Sequence, residues 1–166
     1  MIVYKFGGAS VKSADAVKQL ANIVNQVDDK LVIVISAMGK TTRALEDITD
    51  DWFHKRDYSA FMAKIISYHL DIANNLFTDS KHPVFAKIDA IFSKLRQKLA
   101  DEPSMDYDYE YDQIVIYGEL LSTTIVHHYL TEAKIRTEFI DIRKYLKTDA
   151  SYPDASLKLE ESEKKI

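Results

Sequence analysis

The pattern of apolar positions in the first 35 residues predicts two buried β-strands joined by one helix. The first strand is a short apolar run, Ile2 to Phe6, that leads into two glycines. The second, Leu31 to Ile35, is a continuous aliphatic run without alternation, which is typical of a strand covered on both faces. Between the strands, apolar residues recur at helical spacing from about Ala14, and Ser13 is the expected N-cap of this helix.

A strand, a helix and a second strand form a βαβ unit, whose crossover is expected to be right-handed and whose strands are expected to be parallel. The carboxyl ends of both strands then lie on one rim of a mainly parallel sheet, where open α/β sheets bind their ligands. The sequence therefore predicts an α/β fold that brings Gly7, Gly8 and Ser36 together on this rim.

The middle of the chain has the pattern of long helices. An apolar stripe marks one of them, at Phe61, Ile65, Leu70, Ala73 and Phe77. Pro83 is predicted to open a second helix, whose basic residues are interpreted as a solvated face: Lys87, Lys94, Arg96 and Lys98.

A third helix is predicted to begin in the acidic, tyrosine-rich segment 106–112 and to run to about Ala133. A partner-docking role is the alternative for that segment. Residues Arg136 to Ile142 are predicted to return to a strand. Residues Leu157 to Ile166 are predicted to form a charged tail that is helical or frayed.

Length and composition narrow the class of protein. A chain of 166 residues suits one domain or one lobe of a larger protein, and 46% hydrophobic content with three prolines and four glycines argues against disorder. The absence of cysteine excludes disulfides and thiolate metal sites and fits a reducing cytosol. We see no signal peptide and no apolar run near the roughly 20 residues that span a bilayer. A net charge of −4 gives no support to nucleic-acid binding, so a cytoplasmic protein without membrane or nucleic-acid partners is expected.

The first candidate site follows the first strand, where Lys5 precedes Gly7, Gly8 and Ser10. Glycines let a ligand approach backbone amides, and a lysine beside them places a cation where phosphate oxygens would lie. A tight strand-to-helix turn with a solvated lysine is the alternative.

The second candidate site follows the second strand. A Gly-Lys-Thr triplet at 39–41 invites a P-loop interpretation, which we reject because Val34 stands where that pattern needs another glycine. The hydroxyls of Ser36, Thr41 and Thr42 suit hydrogen bonds to a carboxylate or an amino group. Helix capping by one threonine is also expected.

The third candidate site lies inside the third helix, at Gly118 and Glu119. Glycine in a helix costs about 1 kcal/mol relative to alanine, which suggests close approach of a neighbour or ligand. A carboxylate among apolar residues needs a partner, such as a substrate ammonium, unless it faces solvent. His128 and Glu132 lie one helical turn apart, but two ligands do not make a metal site, so no metal site is expected here.

Together the three clusters resemble the aspartate kinase family of the amino-acid kinase superfamily. Lys5 to Val11 is similar to the family's opening Lys-Phe-Gly-Gly-Thr-Ser-Val, and Ser36 to Gly39 followed by Thr42 is similar to its second loop. Gly118 to Ser122 resembles its Gly-Glu-Arg/Leu-Leu/Met-Ser element, and segment 139–149 shares further features. The motifs occur in order along almost the whole chain.

The resemblance implies a three-layer αβα sandwich with a mainly parallel open sheet, of which this chain is the N-terminal lobe. It implies transfer of the γ-phosphoryl of ATP, with Mg²⁺, to the side-chain carboxylate of L-aspartate in lysine, threonine and methionine biosynthesis, and a homo-oligomeric intact enzyme. Lys5 would be catalytic. The residues that would contact ATP are Lys5, Phe6, Gly7, Gly8 and Ser10. Those that would hold aspartate are Ser36, Thr41, Thr42 and Glu119.

The chain departs from the family pattern in three ways. Ala9 replaces a threonine in the first motif, and Arg43 stands where asparagine or aspartate is common. The chain also ends before the family's Gly-Arg-Gly-Gly-Ser-Asp loop and nucleotide-binding lobe. Residues 1–166 are therefore interpreted as the amino-acid-binding part of a kinase catalytic domain, without its nucleotide lobe and regulatory domains and inactive alone. A non-catalytic small-molecule binding or regulatory module of the same fold is the alternative.

Overall fold

The computed structural model describes residues 1–152 and 154–165. Its elements in chain order are β1 (Ile2–Phe6), a 3₁₀ turn (Gly8–Val11), α1 (Ala14–Val24), β2 (Leu31–Ile35), α2 (Thr41–Phe53), α3 (Ser59–Leu76), α4 (Pro83–Ala100), α5 (Tyr107–Glu132), a second 3₁₀ turn (Ile142–Lys144) and α6 (Leu159–Glu163). None of the described helices is long and apolar enough to cross a membrane.

The predicted βαβ unit is confirmed. β1 and β2 pair in parallel, with Ile2 opposite Leu31 and with the two carboxyl ends side by side. Helix α1 begins at Ala14, and the Ser13 hydroxyl caps it by accepting a hydrogen bond from the Ala16 amide at 3.2 Å. The apolar stripe of α1 is buried, so this part of the fold follows directly from local sequence signals.

Helices cover only one face of the sheet within the described residues, which corrects the prediction of strands buried on both faces. Phe6, Ile33 and Ile35 pack against the core from the covered face. On the opposite face Val32 and Val34 are 44% and 48% exposed. An aliphatic run shows that both faces of a strand are suited to burial, but it does not supply the second covering layer.

Helix α5, with 26 residues, is the longest helix and packs against α2, α4 and β2. Its start is confirmed: the Asp106 carboxylate caps it by accepting from the Tyr109 amide at 3.1 Å. Pro83 occupies the first turn of α4, also as predicted. The buried stripe of α3 includes the predicted Ile65 and Ala73 and also contains a histidine, His69.

The predicted strand at Arg136 to Ile142 is wrong, because the structure describes all of these residues and shows no strand there. Phe139 and Ile140 are 37% and 57% exposed, and the segment leads into the second 3₁₀ turn. An alternating pattern forms a strand only where a neighbouring strand accepts its backbone hydrogen bonds. In the predicted tail, α6 confirms a helix over Leu159–Glu163, while residue 166 lies outside the described residues.

A buried ion pair joins α4 to α5. Glu110 is 1% exposed, and its Oε1 accepts a hydrogen bond from the Ser104 amide at 2.8 Å. Its Oε2 makes no aligned hydrogen bond within the described residues and lies against the Lys98 ammonium, which is its charge partner. Lys98 Nζ also lies 5.2 Å from the centre of the Trp52 ring. Lys98 therefore does not belong to the predicted solvated face, whereas Lys87, Lys94 and Arg96 are exposed as predicted.

Candidate functional site

Two loops meet at the carboxyl ends of the strands. The first loop comprises residues 7–12, and the second loop comprises residues 36–40. The Gly39 amide donates to the Gly8 carbonyl at 3.0 Å, and the Ser36 amide donates to the Phe6 carbonyl at 3.0 Å. A Cβ atom on Gly8 would lie only 2.7 Å from the Ala37 carbonyl oxygen, so this contact requires glycine. The prediction that Gly7, Gly8 and Ser36 share one rim is confirmed.

Lys5 stands at the edge of this rim. It is exposed on the uncovered face of the sheet, directly opposite Val34. A Cβ atom on Gly7 would lie 3.5 Å from Lys5 Nζ, so the ammonium group lies over the glycine turn. Ser10 is exposed in the same turn, whereas the Phe6 side chain packs against the core. The Lys5 ammonium, the Ser10 hydroxyl and the backbone of the glycine turn thus lie at one place. The Phe6 ring does not join them, because it packs against the core.

Helix α5 packs closely against the second loop. A Cβ atom on Gly118 would lie 2.8 Å from Ala37 Cβ, which confirms the predicted close approach at this glycine. Ser122 Oγ donates to the Ser36 carbonyl at 2.8 Å. Glu119 is half-buried and accepts a hydrogen bond from the Ala37 amide at 3.3 Å through Oε1. The carboxylate therefore lies beside Ser36 at the rim.

The three hydroxyl residues of the second motif differ in exposure. Ser36 and Thr42 are half-buried, whereas Thr41 is 2% exposed. The Thr41 hydroxyl donates to the Met38 carbonyl at 2.6 Å, so its only proton is used inside the protein. We therefore propose that Thr41 shapes the second loop and does not donate a hydrogen bond to the substrate.

The expected threonine cap of α2 is wrong. Lys40 occupies the N-cap position of α2, and its side chain makes no capping hydrogen bond. Thr41 and Thr42 lie inside the first turn, where a hydroxyl cannot accept the amide hydrogen bonds that an N-cap residue receives.

Sequence reasoning missed two residues of α3 that contact the loops, Tyr68 and His69. Tyr68 Oη donates to the Lys12 carbonyl at 2.7 Å. His69 is fully buried, and its Nε2 lies 3.4 Å from Thr41 Oγ1. The sequence did contain a signal that His69 is buried. His69 follows Ile65 by four positions and so falls on the apolar stripe of its helix.

The rim offers two kinds of chemistry. Lys5 and the glycine turn suit an anion such as phosphate. Glu119 with the neighbouring hydroxyls suits a ligand that carries both an ammonium group and a carboxylate. Arg43 is paired with Glu46 and Asp47 at 3.4 Å and 3.5 Å along α2, so it belongs to surface pairs rather than to this group.

Comparison with protein-family models assigns the chain to a family. The model of the amino acid kinase family matches residues 1–164. The chain belongs to the amino acid kinase family. As an amino acid kinase segment, it has the expected αβα fold class, represented here by a helix-rich layer on a small parallel sheet.

Individual relatives of this amino acid kinase chain are aspartokinases. It is 25% identical over 160 residues to the aspartokinase of Chlamydia trachomatis, covering 94% of this chain and 35% of the relative. It is 26% identical over 154 residues to lysine-sensitive aspartokinase 3 of Escherichia coli, covering 90% of this chain and 32% of the relative. The chain thus spans about a third of the length of these relatives.

The fold of this amino acid kinase chain also matches a solved structure. The crystal structure of E. coli aspartokinase III in complex with aspartate and ADP superposes with a TM-score of 0.83 at 21% identity. The match covers 99% of this chain and 36% of that one. At this identity the likeness supports the fold.

Proposed function

We propose that this chain carries the aspartate-binding side of an aspartate kinase site. In the proposed reaction, a side-chain carboxylate oxygen of L-aspartate attacks the γ-phosphorus of ATP. The bond between that phosphorus and the β,γ-bridging oxygen breaks, which yields 4-phospho-L-aspartate and ADP. The observation that carries the proposal is the position of Glu119, held by the Ala37 amide beside Ser36 where the parallel strands end. Relatives named aspartokinases over at least 90% of this chain support it.

On the aspartate side, Glu119 would pair with the α-ammonium group, and Ser36 and Thr42 would hydrogen-bond a carboxylate. Each of these residues is half-buried at the rim. Phosphoryl transfer needs positioning and charge neutralisation rather than a covalent nucleophile. Thr41 would act indirectly, because its hydroxyl proton is donated to the Met38 carbonyl.

On the nucleotide side, the Lys5 ammonium would neutralise phosphate charge beside the Gly7 and Gly8 turn and the Ser10 hydroxyl. Phe6 would contribute its backbone, since its ring packs against the core. No three acidic or histidine side chains converge within residues 1–152 and 154–165. The residues here therefore do not form a protein cage for a metal ion. Mg²⁺, which commonly binds through substrate phosphates and water, would neutralise charge on the phosphate oxygens.

We further propose that residues 1–166 form the N-terminal part of the kinase catalytic domain and that further sequence supplies the nucleotide lobe. Parallel sheets are normally covered on both faces, yet the outer face here exposes Val3, Val32 and Val34. The chain also spans only about a third of its relatives. A binding module without catalysis is the competing function. It predicts aspartate binding without phosphoryl transfer by the product of the whole reading frame.

Glu119→Gln tests the aspartate site. Glutamine retains an oxygen that can accept from the Ala37 amide, but it removes the charge that would pair with an ammonium. We expect aspartate binding, measured by isothermal titration calorimetry, to weaken by about 2–4 kcal/mol. Glu132→Gln is the matched control, because Glu132 lies on the same helix with its side chain 58% exposed. Unchanged affinity in Glu119→Gln would contradict the proposed role of this carboxylate.

The uncovered sheet face is expected to make a purified 1–166 chain self-associate, because contiguous exposed apolar surface favours association. Val32→Lys places a charge on this face and should shift the chain toward monomer in light scattering. Ile23→Lys is the matched control, since Ile23 and Val32 are 42% and 44% exposed on different surfaces. A chain that stays monomeric at high concentration, or an equal effect of both variants, would count against this surface.

A further inference from the structure

We propose that Tyr68 and His69 of α3 are positioning residues that hold the two rim loops in their binding geometry. Tyr68 contacts both loops, and His69 acts on the second through Thr41. The expected effect on ligand binding rests on the proposed aspartate site. The expected effect on the loops rests only on contacts among the described residues.

Tyr68 joins the two loops with one hydroxyl group. Its Oη donates to the carbonyl of Lys12, the last residue of the first loop, at 2.7 Å. A Cβ atom on Gly39 would lie 2.5 Å from the same Oη, so the hydroxyl lies directly against the second loop. Gly39 has a φ of +56°, a conformation that favours glycine, and its amide donates to Gly8 in the first loop. Tyr68 therefore contacts the place where the loops contact each other.

His69 packs against the second loop with its ring held in one orientation by a hydrogen bond within α3. Its Nδ1 lies 2.7 Å from the Ile65 carbonyl, which can only accept, so Nδ1 carries the proton. Burial lowers the pKa of His69 below its ordinary value, so Nε2 carries a lone pair at neutral pH. Because the one Thr41 proton goes to the Met38 carbonyl at 2.6 Å, the Nε2 lone pair meets Thr41 Oγ1 at 3.4 Å as a packing contact and not as a hydrogen bond. The His69 ring thus packs against one side of the Thr41 hydroxyl, and the bond from this hydroxyl to Met38 determines the shape of the second loop.

The His69 ring is held rigidly enough to act as a support. Its centre lies 5.2 Å from that of Tyr68 and 6.0 Å from that of Phe92, both in edge-to-face geometry. Buried aromatic contacts of this kind fix the orientation of a ring. The support therefore reaches from α4, through α3, to the loop that carries Ser36 and Ala37.

Loop position matters more for ligand binding than for folding. The Ala37 amide bonds Glu119, and the Ser36 carbonyl accepts from Ser122, so a shift of the second loop changes the spacing of Ser36 and Glu119. A ligand held by several groups at once loses affinity when the spacing of those groups changes, because their contacts cannot all be made together. Loss of the support should consequently reduce aspartate binding by more than the loss of an equivalent hydrogen bond elsewhere.

Thr41→Val against Thr49→Val is the decisive comparison. Both threonines are buried on α2, and Thr49 donates to the Leu45 carbonyl at 2.8 Å, away from the loops. Both variants should lower the melting temperature similarly. Only Thr41→Val should weaken aspartate binding, by about tenfold, and speed amide exchange at Ala37 and Gly39 by about tenfold. Thr41→Ser keeps the hydroxyl and should restore both properties.

Tyr68→Phe has its own matched control in Tyr58→Phe. Tyr58 is the N-cap residue of α3, ten positions before Tyr68, and its Oη donates to the carbonyl of Leu99 in α4 at 3.4 Å. Tyr68→Phe is expected to speed amide exchange at Gly39 and Ser10 by about five- to tenfold, and Tyr58→Phe should leave those amides unchanged.

His69→Asn tests whether His69 works through Thr41. Asn75 on the same helix donates to the Asp71 carbonyl at 2.7 Å, so asparagine at position 69 can keep the bond to Ile65 while losing contact with Thr41. Combining it with Thr41→Val should weaken aspartate binding no further than the larger single effect, because the two residues form one unit.

The outcomes separate this inference from the proposed function. If Thr41→Val and Thr49→Val change loop exchange equally, or if Tyr68→Phe leaves it unchanged, the positioning role is overturned whether or not aspartate binds. If the wild-type protein does not bind aspartate, the proposed function fails, and the exchange comparison still decides the positioning role. Fully additive effects of His69→Asn and Thr41→Val would overturn the route through Thr41.

Discussion

Lys98→Met is expected to lower the free energy of unfolding by about 3–5 kcal/mol, because it leaves the Glu110 carboxylate buried without its charge partner. Methionine retains the unbranched stem beside Trp52, so the lost charge is the main change. Glu110 is 1% exposed, and among residues 1–152 and 154–165 it would keep only the Ser104 amide as a hydrogen-bond donor, at 2.8 Å.

Urea unfolding followed by circular dichroism measures this effect. Lys94→Met on the exposed side of the same helix should change stability by less than about 0.5 kcal/mol. Adding Glu110→Gln to Lys98→Met removes the unpaired charge and should recover part of the loss. A Lys98→Met protein as stable as wild type would mean that water reaches Glu110.

The pair also has a signature in pH dependence. Burial alone would raise the pKa of Glu110, but Lys98 and the Ser104 amide outweigh it and hold this pKa below its ordinary value. A lowered folded-state pKa adds stability above the unfolded-state pKa, and that stability is lost as the pH falls through the folded-state value. Without Lys98, burial is the largest influence on the Glu110 pKa and raises it. The stability difference between wild type and Lys98→Met should therefore shrink as the pH falls through this raised pKa and on through the lowered wild-type pKa, since protonated Glu110 needs no charge partner.

Lys5→Met is expected to reduce turnover about 100- to 1000-fold, or roughly 3–4 kcal/mol, in the kinase that this segment is proposed to form. Lys5 Nζ lies over the Gly7 turn, where it would neutralise charge that develops on the transferring phosphoryl group. Aspartate affinity should change little, because the proposed ammonium partner, Glu119, lies on α5.

Trapping the acyl phosphate with hydroxylamine measures this turnover. Lys5→Arg should rescue poorly, because a planar guanidinium does not replace a compact ammonium beside a tight turn. Lys18→Met is the control, since Lys18 is a surface lysine of α1 that pairs with Asp15 at 3.5 Å. Near-normal turnover in Lys5→Met would show that Lys5 is only a solvated strand end.

Local sequence signals determined the elements whose causes lie within a few residues. A serine before an amphipathic stretch specified the start of α1, and the hydrogen bond from the Ala16 amide to Ser13 is the structural result. Short aliphatic runs that end at glycine and serine specified both strands, and the βαβ connection specified their parallel pairing. The glycine inside α5 pointed to a close neighbour, which is Ala37.

The candidate site was predictable to the extent that its groups follow directly from these elements. Lys5, Ser36 and Glu119 reach one rim because two strand ends and one glycine of α5 place them there. The inward hydroxyl of Thr41 and the support from Tyr68 and His69 were not predictable. They depend on α3, which is remote in sequence and joins the loops only through packing.

Tertiary structure also decided which polar and apolar residues meet a partner. Lys98 has the periodicity of a surface residue, yet it pairs with a buried carboxylate on another helix. Val32 and Val34 have the character of core residues, yet they line an open face. Phe139 and Ile140 have a strand pattern but lie outside any strand. Side-chain periodicity records which environment a residue suits, whereas burial and pairing depend on which distant segment packs against it.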